Sequence, residues 1–584
     1  MKETKGRPLP LGASVEGKRV NFAVEAEEKA RCQVLLYKKG EPLPFKEIPM
    51  KGRIGKVHFT GISGMDPADW EYNFLIDGVI SQDPRARRLI GREIWNDPKE
   101  KDPHEVRCGF LSSEYDWEGD EPVFLPYQKA IGYSLHVRGF TMHSSSGVIG
   151  KGTFQGVREK LSYLKELGVN QLHLLPVYDF QEKKDPLNYW GYGEGFYFAP
   201  KSAYAASGDG EKELKDLVKT MHQEGIEVVL ELPFAQGTSP QLMEECVRFY
   251  RMEYHIDGFV LDEWNAPVSA IRKDPVLAGS KIMTRQPEFS KVMRRFLKGD
   301  EGMVEGVMYW LRRYTAKEEQ YHEITSHTGF TLHDLVSYDR KHNEGNLENN
   351  RDGTDYNYSW NCGEEGETRK RTIQNLRKNQ IKNAFFLLLT GQGTPCILSG
   401  DEFSNSQKGN NNPYCQDNAI TWLDWRELKK EKQLFEFVKG LIRIRKDYQI
   451  FGQPEELTGN DRKGVGIPDI SYHGEHAWRV PSEISSRQLG ILYSGQTVND
   501  RSVFIAYNMH WEEHDFALPV LQRKKRWYKL AGTREGILEA FEELEDQRMI
   551  RIKERSIVLL AEGERKEKQK GYESLATFQD DQPS

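Results

Sequence analysis

Residues 211–232 have the sequence EKELKDLVKTMHQEGIEVVLEL, in which a charged segment is followed by a short apolar run. This pattern predicts a helix over 211–224 and a buried strand over 227–232. Similar strand candidates recur along the chain at 131–137, 171–176, 258–262, 281–284, 321–326 and 394–398. Helical segments separate them, and repeated strand–helix units over roughly 300 residues imply a parallel sheet. Their length and number favour a closed (β/α)8 TIM barrel, an α/β fold, over an open doubly wound sheet.

The segments on either side of this barrel consist of short alternating strands. VNFAVE (20–25) and RCQVLLY (31–37) precede the barrel, and further short strands at 488–493, 502–507, 526–530 and 556–560 follow it. We therefore predict an N-terminal β-sandwich over 1–112, the barrel over 113–447 and a C-terminal β-sandwich over 448–562. The polar, charged residues 563–584 are expected to form a disordered tail.

Composition excludes several classes of function. The 584 residues carry a formal net charge of −7, which argues against nucleic-acid binding, because phosphate recognition requires a basic surface. Six cysteines lie far apart without a C-x-x-C pair, which fits neither a disulfide framework nor a zinc site and predicts a reducing compartment. The N-terminal sequence MKETKGRPLPLG lacks an apolar signal segment, and no run of about 18 apolar residues occurs. We expect a cytoplasmic protein that binds neither membranes nor nucleic acid.

Five sequence segments identify a family resemblance. They are GYSLHVRGFT (132–141), LGVNQLHLLP (167–176), NYWGY (188–192), SHTGFTLHDLVSY (326–338) and GTPCILSGDEF (393–403). In this order they resemble the isoamylase and glycogen-debranching branch of glycoside hydrolase family 13. The resemblance covers about residues 8–560. It implies an α-amylase-type barrel, a carbohydrate-binding type of N-terminal sandwich, and an α-glucan such as glycogen or maltodextrin as the ligand.

The catalytic positions implied by this resemblance are largely substituted. Retaining glycoside hydrolysis requires two carboxyl groups about 5 Å apart, and the resemblance adds a third carboxylate, all at the C-terminal ends of barrel strands. Asp262 occupies the nucleophile position in DGFVLD (257–262), but Val260 replaces the arginine that orients it. Arg285 occupies the general-acid position, and a guanidinium has no acidic proton to give. We expect Arg285 to form an ion pair with Asp262. Thr328 follows His327 at the position of the third carboxylate.

Further changes surround these positions. Ala235 and Gln236 replace the asparagine and histidine that the resemblance implies after the third strand, and the short segment 231–257 predicts an open cleft. Glu263, Glu288 and Asp334 are expected to be surface or capping charges. Glu288 is the best substitute for the general acid, but it lies three residues beyond the required position.

Several aromatic and amide side chains are candidates for sugar binding. Tyr192 matches the aromatic that stacks under the sugar at the cleavage subsite, Trp190 and Tyr189 flank it, and His327 can donate to sugar hydroxyls. The alternative is that these aromatics only pack the barrel rim. Asn410–Asn412 and residues 343–352 either present amides to sugar hydroxyls or form turns. The sequence predicts no metal and no cofactor.

Three hypotheses remain on this basis. The first is an α-glucan-binding pseudoenzyme of glycogen metabolism, for which a glycogen-metabolising protein is a candidate partner. The second is an active α-1,6-glucosidase with rearranged acid residues. The third is a structural protein without affinity for sugars.

Overall fold

The computed structural model describes residues 1–111, 115–314, 319–522 and 524–564. Two compact units divide the chain. The first comprises residues 1–124, 135–161 and 173–282, and the second comprises residues 125–134, 162–172 and 283–584.

The N-terminal region is a β-sandwich, as predicted. Its strands are β1 (Lys2–Thr4), β2 (Gly12–Glu16), β3 (Arg19–Glu25), β4 (Cys32–Lys38), β5 (Lys46–Pro49), β6 (Gly52–Ile54), β7 (Val57–Ser63), β8 (Trp70–Ile76), β9 (Val79–Ser81), β10 (Arg88–Ile90) and β11 (Arg107–Gly109). One sheet has the order β1-β7-β3-β2 with β6 on β7, and the other has the order β10-β11-β8-β4-β5 with β9 on β8. Phe22, Val34 and Phe74 are fully buried in the core that the two sheets share.

A parallel sheet forms the barrel. Its strands are β12 (Gly132–Leu135), β13 (Gln171–Leu174), β16 (Glu227–Glu231), β17 (Gly258–Val260), β18 (Lys281–Arg285), β19 (Gln320–Tyr321) and β20 (Cys396–Leu398), and their order is β19-β18-β17-β16-β13-β12-β20. A parallel bridge between His322 and Pro395 links the two end strands and closes the ring. The predicted barrel is therefore confirmed, with seven strands in this sheet among the described residues.

The predicted strand over 321–326 is shorter than expected. The backbone of His322 still pairs with that of Thr394 and Cys396, but the chain then turns, and the amide of Gly329 donates to the carbonyl of Ser326 (3.2 Å). A separate antiparallel pair, β14 (Tyr178–Phe180) and β15 (Gly195–Pro200), follows β13.

The helices begin at local capping residues. Asp209 caps the predicted helix over 211–224 by accepting from the amide of Lys212, and Ser239 caps the next helix ahead of Pro240. The helices are α1 (Val137–Thr141), α2 (Phe154–Glu159), α3 (Leu161–Leu167), α4 (Gly210–Gln223), α5 (Pro240–Tyr254), α6 (Val268–Arg272), α7 (Pro287–Lys298), α8 (Val304–Arg312), α9 (Leu332–Leu335), α10 (Arg371–Leu389), α11 (Arg426–Lys430) and α12 (Lys432–Asp447).

The C-terminal region is again antiparallel. Its strands are β21 (Ile470–His473), β22 (Gln488–Tyr493), β23 (Val503–Asn508), β24 (His514–Ala517), β25 (Lys525–Gly532), β26 (Gly536–Glu543), β27 (Met549–Ile552) and β28 (Ser556–Glu564). One sheet has the order β21-β22-β23-β28-β25-β26, and β24 pairs with β27. Phe504, Trp527 and Leu560 are fully buried between them. Strand β28 extends two residues into the predicted tail, and the rest of that tail, 565–584, lies outside the described residues.

Candidate active site at the strand ends

The C-terminal end of β17 carries the candidate nucleophile. Asp262 lies two residues past the strand and is exposed. Its Oδ1 accepts a hydrogen bond from the backbone amide of Trp264 (3.0 Å), and its carbonyl accepts from Ala266 (2.8 Å). The carboxylate therefore closes a turn that follows the strand.

The end of the neighbouring strand β16 carries a second carboxylate, Glu231. Glu231 is nearly buried, with 9% of its surface exposed, and lies opposite Val260 in parallel register. The hydroxyl of Tyr192 donates a hydrogen bond to its Oε1. The sequence analysis did not single out Glu231 as a site residue; its position as the last residue of an apolar strand was the available signal.

The three aromatic residues after β13 differ in exposure. Tyr189 and Trp190 are buried (1% and 6% exposed), whereas Tyr192 is half-buried. The rings of Trp190 and Tyr192 contact each other at 57° with centroids 5.6 Å apart, and the amide of Asn188 donates to the carbonyl of Tyr192 (3.0 Å). Burial of Tyr189 and Trp190 favours rim packing for these two, so Tyr192 is the ring of this group with accessible surface for a ligand.

Arg285, His327 and Thr328 lie together at the ends of β18 and of the segment after β19. The guanidinium of Arg285 lies 3.4 Å from the hydroxyl of Thr328 and 3.4 Å from Nδ1 of His327. His327 is buried, and Thr328 is exposed. The structure thus brings together the residues that we predicted at the general-acid and third-carboxylate positions, and they form a cationic, hydroxyl-bearing cluster.

The connection after β18 is unusually short. Strand β18 ends at Arg285, Gln286 caps α7 by accepting from the amide of Glu288 (3.2 Å), and the helix begins at Pro287. In (β/α) barrels the loops after the strands carry the chemistry. A single connecting residue leaves no loop here that could bring another proton donor to the strand end.

The other candidate carboxylates differ in burial and in hydrogen-bond partners. Glu263 is exposed in the turn after Asp262. Glu288 lies in the first turn of α7, where its exposed carboxylate pairs with Lys291 (3.2 Å). Asp334 is not a surface charge: it is fully buried, and its carboxylate accepts hydrogen bonds from the Ser406 hydroxyl (2.6 Å) and the Gln407 amide (2.8 Å). The surface alternative for Asp334 was wrong because its short helix packs inward, whereas its bonds to backbone amides fit the capping alternative.

Two more buried acids support the same loops. Asp401 accepts from the amide of Leu332 (2.8 Å) and from the hydroxyl of Thr325, and Glu402 accepts from the hydroxyls of Tyr133 and Tyr163. Burial raises the pKa of Asp401 to about 7 and that of Asp334 to about 6. Their bonds are all internal, which assigns them to holding the loops after β19 and β20.

The asparagine-rich loops are also structural. Asn343, Asn346, Asn410 and Asn411 are each at most 4% exposed. The amide of Asn343 donates to Oδ1 of Asn411 (2.9 Å), and that of Asn410 donates to Oδ1 of Asn346 (2.9 Å). These amides bond to one another, which favours the turn-forming alternative for them.

A groove of about 890 Å³ lies in the first compact unit, and none of the candidate site residues lines it. Its lining includes the aromatic residues Trp70, Tyr72, Phe110, Tyr115 and Trp117. Among the described residues, no group of three His, Cys, Asp or Glu side chains is arranged to hold a metal ion. No helix in the described parts of the chain has the length and apolar character needed to cross a bilayer.

Comparison with known proteins first defines the class of fold to which this protein belongs. The family description "Alpha amylase, catalytic domain" matches residues 135–236. Among the solved structures that share the fold is the catalytic module of the pneumococcal glycogen-degrading virulence factor SpuA, with a TM-score of 0.73 and 16% identity over 96% of this chain and 98% of that chain. Another is the pullulanase of Paenibacillus barengoltzii in complex with maltohexaose and α-cyclodextrin, with a TM-score of 0.69 and 18% identity over 95% of each chain. The fold is that of an α-amylase-type barrel with accessory sheets.

Sequence relatives define the family. The glycogen debranching enzyme of Pectobacterium atrosepticum is 30% identical over 84% of this chain and 91% of its own length. The chloroplastic isoamylase 1 of Arabidopsis thaliana is 29% identical over 80% of this chain and 79% of its own length. The chain belongs to the isoamylase and glycogen-debranching enzyme family of glycoside hydrolase family 13.

Proposed function

We propose that this protein binds α-glucans such as glycogen or maltodextrin, and that its glycoside-hydrolase chemistry is impaired. The observation that carries the proposal is the cluster of Arg285, His327 and Thr328, whose side-chain contacts lie at 3.4 Å. A cation and a hydroxyl occupy the positions at which the family resemblance implies two carboxyl groups.

The chemical consequence is large. Arg285 remains protonated at any working pH and cannot protonate a leaving oxygen. Thr328 supplies no negative charge to an oxocarbenium-like transition state, and loss of preorganised charge at such a site raises the barrier by several kcal/mol. Both losses act on the chemical step, so they leave room for ligand binding without turnover.

Binding has its own support. Tyr192 keeps an accessible ring, and its hydroxyl is fixed by Glu231. An aromatic ring held in one orientation binds a sugar face at a low cost in conformational entropy. The relatives are named isoamylase and glycogen debranching enzyme, and the Paenibacillus structure is described with bound maltohexaose, which supports α-glucan as the ligand class.

We place the protein in the cytoplasm, with a glycogen-metabolising protein as its candidate partner. All six cysteines are free thiols, and five of them are buried, which supports a reducing compartment. A pull-down from a glycogen-accumulating cell, with and without added maltodextrin, tests the partner.

The test of function pairs two measurements on the purified full chain. Calorimetric titration with maltohexaose is expected to give a saturable isotherm, and incubation with glycogen is expected to release no linear maltodextrin. The Pectobacterium debranching enzyme serves as the positive control. A flat isotherm would favour the structural-protein hypothesis.

The alternative is an active α-1,6-glucosidase with rearranged acids. One observation favours it: Glu231 is the last residue of β16, and Asp262 lies two residues after the adjacent strand β17. Retaining hydrolysis requires such a pair of carboxyl groups. If turnover is found, Glu231→Gln and Asp262→Asn must each abolish it.

A further inference from the structure

The turn after β17 presents an indole to solvent. Trp264 is 98% exposed, although a large aromatic side chain normally buries most of its surface. It lies two residues after Asp262 and was not singled out by sequence reasoning, because a tryptophan in a polar turn has no periodic signal.

The turn is held in place from both sides. The Trp264 amide donates to Oδ1 of Asp262 (3.0 Å), and the Asn265 amide side chain donates to the carbonyl of Phe234, in the segment after β16. Phe234 is 5% exposed and therefore a firm anchor. The backbone that carries the indole is thus fixed, and the exposed ring does not result from a loose loop.

We infer that Asp262 and Trp264 together bind one glucose unit of an α-glucan chain. The indole stacks on the apolar face of the sugar ring, and the carboxylate accepts a hydrogen bond from a sugar hydroxyl. The inference rests on the proposed function, and it changes the role of Asp262 from a nucleophile to a recognition group.

The surroundings favour a neutral sugar over other occupants. Asp262 and Glu263 are both exposed beside the indole. Two carboxylates repel nucleic acid and anionic membrane surfaces. The cores of protein interfaces are depleted in charged residues, which disfavours a protein partner centred on Trp264. Sugar hydroxyls, in contrast, are donors that carboxylates accept.

Calorimetric titration of maltohexaose into the full chain tests the inference with three variants. Trp264→Ala is expected to weaken binding about tenfold, which corresponds to about 1.4 kcal/mol at 25 °C. Trp264→Phe keeps an aromatic face and should remain within about threefold of wild type. Trp511→Ala is the matched control, because Trp511 is also exposed (56%) but lies between β23 and β24, and it should bind as wild type does.

The outcomes separate the two proposals. Absence of binding by the wild-type chain overturns both. Binding by wild type that Trp264→Ala leaves unchanged overturns the recognition role alone. Sedimentation of the same samples tests whether a second copy of the chain binds the indole instead. If Trp264→Ala converts an oligomer into a monomer and leaves sugar affinity intact, the indole belongs to an interface between copies, and the inference is wrong.

Discussion

Strands β17 and β18 are built alike, yet their ends differ in chemistry. Each is a short buried strand with a charged group at or just beyond its end: Asp262 two residues beyond β17, and Arg285 as the last residue of β18. Asp262 is exposed and bonded within its own turn, whereas Arg285 contacts His327 and Thr328. The buried residues that specify a barrel strand place no constraint on the group at its end. Retention of the family fold therefore carries no guarantee of retained catalysis.

The largest expected effect is on the free energy of unfolding, which should fall much more when a buried aspartate is removed than when an exposed one is removed. Asp334→Ala leaves the Ser406 hydroxyl and the amides of Gln407 and Gly409 without their acceptor, and should lower the free energy of unfolding by about 4 kcal/mol. Asp262→Ala, at an exposed turn, should cost less than about 1 kcal/mol. Urea unfolding of both variants measures the difference. Equal losses would contradict the assignment of Asp334 as a loop support.

The second prediction concerns pH. Burial, opposed mainly by the hydrogen bond from Thr325, raises the pKa of Asp401 to about 7, whereas an unfolded aspartate titrates near 3.9. The native state therefore binds the extra proton between these values, and the contribution of Asp401 to stability falls as pH rises from about 4 to about 7.

Asp401→Asn should remove this dependence. The unfolding free energy of wild type minus that of Asp401→Asn is expected to decrease by about 3 kcal/mol between pH 5 and pH 8. Urea unfolding at four pH values measures it, and parallel pH profiles for the two proteins would show that Asp401 is not the titrating group.

The third prediction concerns sugar binding by Tyr192. Tyr192→Ala removes the accessible ring and should weaken maltohexaose binding about tenfold, or about 1.4 kcal/mol. Tyr192→Phe removes only the hydrogen bond to Glu231 and should stay within about threefold. Calorimetry distinguishes the two, and equal losses in both variants would assign the effect to the hydroxyl instead of the ring.

The smallest expected effect is at Glu288. Its ion pair with Lys291 is exposed, so Glu288→Gln should change the unfolding free energy by less than about 0.5 kcal/mol. Maltohexaose affinity should also be unchanged. If the wild-type chain debranches glycogen and this variant does not, Glu288 is the displaced general acid after all.

The barrel was predictable from sequence because buried strands and amphipathic helices leave periodic patterns. The short segment after β19 was not, because its pairing ends where the chain turns at Ser326–Gly329, and a turn competes locally with strand propensity. Side-chain orientation was also inaccessible: Asp334 and the amide of Asn411 look like surface groups in sequence but are buried by loops distant in the chain.

For the candidate site, the sequence predicted which residue types are present better than it predicted their spatial arrangement. The residue types at positions 285 and 328 were readable from the sequence and their catalytic roles stay a prediction, whereas the 3.4 Å approach of Arg285 to Thr328 is given only by the structure. The Tyr192–Glu231 bond and the exposure of Trp264 depend on how separate strand ends pack, which no single segment encodes.

The most direct test of impaired catalysis is the multiple-turnover release of linear maltodextrins from glycogen by the purified full chain. The account predicts no release above the buffer control under conditions in which maltohexaose binding saturates. Accumulation of products over many turnovers, lost in Asp262→Asn, would contradict it.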